Sequence, residues 1–106
     1  MKECTVTELK NAIDSKEDIQ LIDVRETYEH ERAKISGDYH IPMSILPHNI
    51  DQISQDKKVI VYCRSGARSA NIIQWLEKNK GLTNLYNLKG GILAWRREID
   101  PTLDVH

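Results

Sequence analysis

The sequence predicts an α/β domain built around a mainly parallel β-sheet. Short apolar segments of the strand type alternate with amphipathic segments of the helix type, which is the pattern of parallel sheets. The strongest strand signal, 58–62, is a β-branched run without polar alternation, typical of a strand buried on both faces. The 106 residues match the length of one domain, so we expect a single domain over 1–106.

A first helix is expected close to the amino terminus. Thr5 and Glu8 have the spacing of a capping box, and the helix that follows is expected to bury Val6, Leu9 and Ile13. The next elements are expected as a strand over 19–24, a short exposed helix over 26–32, a short strand over 39–41 and a short helix over 47–53.

The second half of the chain carries the strongest signals. After the strand at 58–62, a long helix is expected over 69–79. The side chains expected to face the sheet from this helix are Ile72, Ile73, Trp75 and Leu76. A strand over 82–88 and a last helix over 91–98 follow, and Gly90 and Gly91 are expected to allow a tight turn between them.

Composition excludes several function classes. The chain has 15 basic and 16 acidic residues, so it lacks the basic footprint of a nucleic-acid-binding protein. Its longest apolar stretch, 59–63, is too short to span a membrane, and its amino terminus has no signal-peptide pattern. Two cysteines are too few for a disulfide scaffold. We therefore expect a cytoplasmic protein with free thiols and no membrane or nucleic-acid partner.

The sharpest functional feature is the loop from Cys63 to Ser69. It lies between the strongest strand and the strongest helix, at the carboxyl edge of the sheet where α/β proteins bind ligands. Backbone amides at a helix amino terminus stabilise an anion, so the pKa of Cys63 is expected to fall. Gly66 lets the loop curl, and Arg64 and Arg68 offer donors to an anionic substrate. The pattern predicts a thiolate nucleophile, Cys63, in an anion cradle formed by Arg64, Ser65, Gly66, Ala67 and Arg68.

The other candidates have simpler interpretations. Asp23 and Arg25 end a strand near the same edge; they are expected to form an ion pair or a loop anchor, with support of the loop as the functional alternative. His30 is expected to be solvated. His40 and His48 lack partners at ligand spacing, so neither a metal nor another cofactor is expected. Cys4 is interpreted as an inert residue in a strand or a cap.

Four motifs in order resemble those of the rhodanese-like family of single-domain sulfurtransferases. The similar segments are 21–26, 35–42, 59–69 and 88–95. The second motif is altered, because Ala33 and Lys34 replace a glycine and a histidine and Asp38 replaces an alanine. The resemblance covers nearly the whole chain and implies a three-layer domain with a five-stranded central sheet between helices.

The resemblance also implies a sulfur relay. The Cys63 thiolate would attack the outer sulfur of thiosulfate or of a persulfide, and Cys63 would then carry a persulfide. Cyanide or a thiol, such as that of a thioredoxin-like protein, would remove the outer sulfur. Arg64 is then the candidate for orienting the donor, and Arg68 either shares that task or holds the loop through an acidic partner.

Two alternatives stay open at this point. A phosphatase or an arsenate-reducing enzyme would use the same thiolate, although four residues separate Cys63 from Arg68 and related phosphatases have one residue more. A non-catalytic binding module with the same fold is the second alternative. The retained cysteine and both arginines favour an enzyme of the rhodanese type, a thiosulfate sulfurtransferase.

Overall fold

A computed structural model describes residues 1–105 as one layer of β-sheet between two layers of helices. All five strands are parallel, and their order in the sheet is β1-β5-β4-β2-β3. The elements are β1 (Lys2–Cys4), α1 (Val6–Asp14), β2 (Ile19–Asp23), α2 (Thr27–Arg32), β3 (Tyr39–His40), β4 (Lys58–Tyr62), α3 (Ala67–Lys80), β5 (Leu85–Leu88) and α4 (Gly91–Glu98). The predicted α/β class and the three-layer, five-stranded architecture are confirmed.

The central strand, β4, determines where the site lies. It pairs with β2 on one side and β5 on the other, with Asp23 opposite Tyr62 and Val61 opposite Asn87. Because parallel strands end at the same edge, the residues that follow β2, β4 and β5 come together there. The loop after Tyr62 therefore begins at the centre of this edge.

Each face of the sheet has its own apolar core. One core packs α3 against the sheet through Ile72, Ile73 and Leu76. The other packs α1 and α4 on the opposite face, through residues such as Leu9 and Ile92. β4 contributes to both cores, as its uninterrupted apolar run predicts. Among residues 1–105, no helix combines the length and the apolarity that a membrane span needs.

Several local predictions were wrong. Ile13 is 38% exposed, and Ala12 is buried in its place because it continues the stripe of Val6 and Leu9. Trp75 is 37% exposed because the stripe of α3 that faces the sheet passes beside it. The predicted helix over 47–53 is two short 3₁₀ turns, Leu46–His48 and Ile50–Gln52.

Candidate active site

The loop after β4 brings the Cys63 sulfur under the amino terminus of α3. Gly66 is the residue before the first turn of α3 and has a φ of 105°, a left-handed conformation that favours glycine. This turn directs the backbone N–H of Gly66 at the Cys63 Sγ, with 3.1 Å between nitrogen and sulfur. The N–H of Ser69 points at the same sulfur from 3.4 Å. The local sequence therefore builds a cradle that closes on one atom.

The cradle changes the acidity of Cys63. The residue is only 1% exposed, and burial by itself would raise the pKa of its thiol. Hydrogen bonds from the Ser69 hydroxyl and from the amides of Ser69, Gly66 and Ser65 outweigh burial, so the pKa of Cys63 is lowered. The geometry thus favours a thiolate at the amino terminus of a helix.

A polar chain behind the sulfur was missed by the sequence interpretation. The Ser69 hydroxyl lies 3.3 Å from the Cys63 Sγ and 2.5 Å from Oδ1 of Asn87, a buried residue of β5. The amide Nδ2 of Asn87 donates to the carbonyl of Gly66 at 3.0 Å. The signal that marks this residue is an uncharged polar side chain inside a buried strand, three positions before the glycine doublet.

The turn before α4 presses against the same loop. Gly90 and Gly91 both have positive φ, at 78° and 59°, as the predicted tight turn requires. The N–H groups of Ile92 and Leu93 donate to the carbonyls of Cys63 and Arg64, at 3.0 and 3.1 Å. The glycine doublet thus allows the backbone of α4 to support the backbone of the cysteine loop.

The two arginines of the loop have different surroundings. Arg68 forms a two-bond ion pair with Glu29 of α2, both bonds 2.8 Å long, and this pair lowers the pKa of Glu29. Glu29 was not singled out in the sequence. Arg64 is exposed and lines a groove of about 360 Å³, together with residues of α2 and the carboxyl-terminal segment that include Tyr28, Arg32 and Asp104. Ser65 and Ala67 lie exposed on the rim of the loop.

Asp23 and Arg25 form a buried ion pair beside the loop. Their side chains are 0% and 2% exposed, and Arg25 Nη2 donates to Asp23 Oδ2 at 2.8 Å and to the carbonyl of Ala33. Within residues 1–105, no hydrogen bond joins either side chain to the loop from Cys63 to Ser69. The pair anchors the segment after β2, and a role for it in the cysteine loop stays a prediction.

The prediction that His30 is solvated was wrong. Its Nδ1 lies 2.9 Å from Asp23 Oδ2, its ring stacks on that of His40 with 4.1 Å between centroids, and its side chain is 16% exposed. Asp23, His30 and His40 place one potential ligand atom each within 4.8 Å of one another. The Arg25 guanidinium already occupies the Asp23 oxygen that a cation would need, so this group suits a hydrogen-bonded network better than a metal site.

The sheet order, the buried cysteine cradle and the supporting glycine turn together define a thiolate-bearing α/β domain. The chain matches the family description "Rhodanese-like domain" over residues 5–98, and it belongs to the rhodanese-like family. A crystal structure of a rhodanese-like domain protein from Staphylococcus aureus superimposes with a TM-score of 0.84 at 32% identity, covering 100% of this chain and 99% of that one.

Two relatives carry names that refer to sulfur transfer. A protein of Allochromatium vinosum named sulfurtransferase is 38% identical over 81 residues, which are 76% of this chain and 75% of that protein. YtwF of Bacillus subtilis, provisionally named a sulfurtransferase, is 36% identical over 101 residues, covering 95% of this chain and 96% of that protein.

Proposed function

We propose that this protein is a sulfurtransferase that moves a sulfane sulfur through a persulfide on Cys63. The observation that carries the proposal is the convergence of the Gly66 and Ser69 amides and the Ser69 hydroxyl on the Cys63 sulfur. Such a cradle stabilises negative charge on the sulfur, both before attack and when the sulfur leaves. The names of the relatives support sulfur transfer as the general reaction.

The reaction has two half-reactions. In the first, the Cys63 thiolate attacks the outer sulfur of thiosulfate, the new S–S bond forms, and sulfite leaves with the electron pair of the broken bond. In the second, cyanide or a thiolate attacks the outer sulfur, and Cys63 leaves as a thiolate. We propose that the donor is thiosulfate or a persulfide, that Arg64 orients its anionic end, and that the acceptor is a small thiol or a thioredoxin-like protein.

The reaction needs Cys63 as a free thiol at the start of each cycle. Cys4 and Cys63 are both free in the structure, and both are buried. We therefore place the reaction in a reducing compartment such as the cytoplasm, where thiols stay reduced. Cys4 lies in β1, within the core on the opposite face of the sheet from the core that contains Cys63.

Intact mass spectrometry tests the proposal directly. After incubation with thiosulfate or glutathione persulfide, the protein is expected to gain the mass of one sulfur atom, and cyanide or a thiol is expected to remove it. Cys63→Ser is expected to abolish both the mass gain and the formation of thiocyanate. The matched control, Cys4→Ser, replaces the other buried thiol and is expected to leave both intact.

Three outcomes would contradict the proposal. The first is thiocyanate formation by Cys63→Ser. The second is the absence of a mass gain with every donor. The third is hydrolysis of a phosphate ester that disappears in Cys63→Ser, which would favour the phosphatase alternative.

A further inference from the structure

The Ser69 hydroxyl has two neighbours and only one proton. Its oxygen lies 3.3 Å from the Cys63 Sγ and 2.5 Å from Asn87 Oδ1, so both neighbours are within hydrogen-bond reach. A serine hydroxyl donates one hydrogen bond and accepts others through its lone pairs. The hydroxyl can therefore donate to the sulfur or to the amide oxygen, but it cannot donate to both at once.

The second side-chain contact of Asn87 fixes the identity of the atom that faces Ser69. Its Nδ2 must donate to the Gly66 carbonyl at 3.0 Å, since a carbonyl only accepts, and this leaves Oδ1 on the side of Ser69. Oδ1 has no proton and can only accept. Asn87 is 4% exposed, so water does not readily replace the serine as its donor.

We propose that Asn87 is a positioning residue for the Ser69 hydroxyl. While the Cys63 sulfur is uncharged, Asn87 accepts the hydrogen bond of this hydroxyl. When Cys63 becomes a thiolate, the hydroxyl donates its hydrogen bond to the sulfur instead. With a neutral thiol, the S–H donates to Ser69 Oγ and the O–H donates to Asn87, so every group has a partner. With a thiolate, the O–H turns to the sulfur, because a hydrogen bond to a charged acceptor is stronger than one to a neutral acceptor.

The inference deepens the proposed sulfur transfer and rests on it for its place in the reaction. In the second half-reaction, an acceptor thiolate attacks the outer sulfur of the Cys63 persulfide. Its electron pair forms the new S–S bond, the bond from Sγ to the outer sulfur breaks, and that electron pair stays on Sγ. Charge thus appears on Sγ during this step, and the hydroxyl is already positioned to turn toward it.

Asn87 accordingly opposes ionisation of Cys63, since it binds the hydroxyl in the state where the sulfur is neutral. The charged groups near the sulfur are Arg64, the neighbour of Cys63 in the chain, Arg68, which interacts with Cys63 electrostatically, and Glu29, which pairs with Arg68. β5 supplies the uncharged Asn87, and the start of α4 supplies backbone only. None of these charged groups is changed in the variants below.

The test is a double-mutant cycle read out by the pKa of Cys63 in the resting protein. All variants carry Cys4→Ser, so that Cys63 is the only thiol, and its ionisation is followed by thiolate ultraviolet absorbance against pH. Asn87→Ala is expected to lower the pKa of Cys63, raising the thiolate-to-thiol ratio at a fixed pH below that pKa about tenfold, the equivalent of one neutral hydrogen bond. Asn87→Leu, which keeps the branched shape of the side chain but has only apolar atoms, is expected to do the same.

Repeating the Asn87 substitutions in the Ser69→Ala background tests whether Asn87 acts through the Ser69 hydroxyl or only by supporting the loop. Ser69→Ala alone is expected to raise the pKa of Cys63, and in that background neither Asn87 substitution is expected to change it further. With Ser69→Thr, which keeps a hydroxyl, the effect of Asn87→Leu is expected to return.

Two results would overturn the inference. One is an equal shift from the Asn87 substitutions in the serine and alanine backgrounds, because Asn87 would then act through its Gly66 contact alone. The other is no shift, or a rise, in the serine background. The measurement needs no sulfur donor or acceptor, so failure of the proposed function would appear separately, as the absence of persulfide in the mass experiment.

Discussion

The contact between the α4 turn and the cysteine loop predicts a large effect of Gly91→Ala. A Cβ on Gly91 would lie 2.4 Å from the carbonyl oxygen of Arg64 and 2.5 Å from that of Cys63, and both atoms belong to the backbone. The backbone would have to move by about 0.6 Å to bring the first contact to 3.0 Å, the shortest distance that real Cβ atoms show. That movement would displace the Cys63 loop itself.

The expected cost has two parts. The φ of 59° at Gly91 imposes about 1–2 kcal/mol on any residue with a Cβ. Overpacking against a rigid backbone adds about 1–3 kcal/mol. Gly81→Ala is the matched control, because Gly81 has a φ of 66° and nothing lies within 4 Å of its Cβ position. Only the cost of the positive φ therefore applies to Gly81→Ala.

Urea unfolding measures the loss of stability, and the rate of persulfide formation on Cys63 measures displacement of the loop. Gly91→Ala is expected to lose about 2–5 kcal/mol in the free energy of unfolding. Its persulfide formation is expected to slow about a hundredfold, as for a misplaced nucleophile. Gly81→Ala should lose about 1–2 kcal/mol and keep the wild-type rate. Equal behaviour of the two variants would refute the argument that the α4 turn supports the loop.

Three charged groups give further predictions, each measured by urea unfolding. Glu29→Gln removes the charged partner of Arg68 and should cost about 1 kcal/mol in the free energy of unfolding at pH 7. Because pairing lowers the pKa of Glu29 below its ordinary 4.5, the greater stability of the wild type should vanish as the pH falls through that lowered pKa. A stability difference that persists in acid would contradict this. Burial raises the pKa of Asp38 above 3.8, so the ionised carboxylate lowers the stability of the folded protein. Asp38→Asn should therefore be more stable than the wild type at pH 7, by a difference that shrinks in acid. A variant less stable than the wild type at pH 7 would refute this. Arg25→Met leaves buried Asp23 without its guanidinium partner and should cost about 3–5 kcal/mol in the free energy of unfolding. The pKa of Cys63, followed separately by thiolate absorbance, is expected to stay unchanged, and a changed pKa would show that the pair supports the loop.

The sequence predicted what depends on local pattern and missed what depends on distant contacts. The apolar run of 58–62, the left-handed glycine at 66 and the start of a helix are all encoded within a dozen residues, so the cysteine loop could be placed correctly. The partner of Arg68 lies 39 residues away in the chain, on a short helix that looked like a solvated surface. No periodicity links Glu29 to Arg68, because only the sheet order brings α2 beside the loop.

The burial of polar side chains was also not predicted from the sequence, again because it depends on tertiary contacts. His30 lies on a polar helix and looked solvated, yet it is covered because the buried Asp23 offers it a hydrogen bond at 2.9 Å. Asn87 in β5 is a second example. Its side chain forms two hydrogen bonds, although the strand around it looks apolar in the sequence. A lone polar residue inside a buried strand indicates such a network, but its partners cannot be identified before the strand order is known.

The contacts of Arg68 explain why the length of the cysteine loop suits the binding of a sulfur atom better than the binding of a phosphate group. A loop that holds a phosphate needs its amides and its arginine directed at oxygens beyond the nucleophile. Here the amides of Gly66 and Ser69 close on the Cys63 sulfur itself, at 3.1 and 3.4 Å, and both terminal nitrogens of the Arg68 guanidinium donate to the Glu29 carboxylate. A phosphate at this site would compete with Glu29 for the arginine, whereas a second sulfur on Cys63 leaves that ion pair intact. The four-residue spacing between Cys63 and Arg68 therefore supports the proposed sulfur transfer through the contacts it produces, as well as through its length.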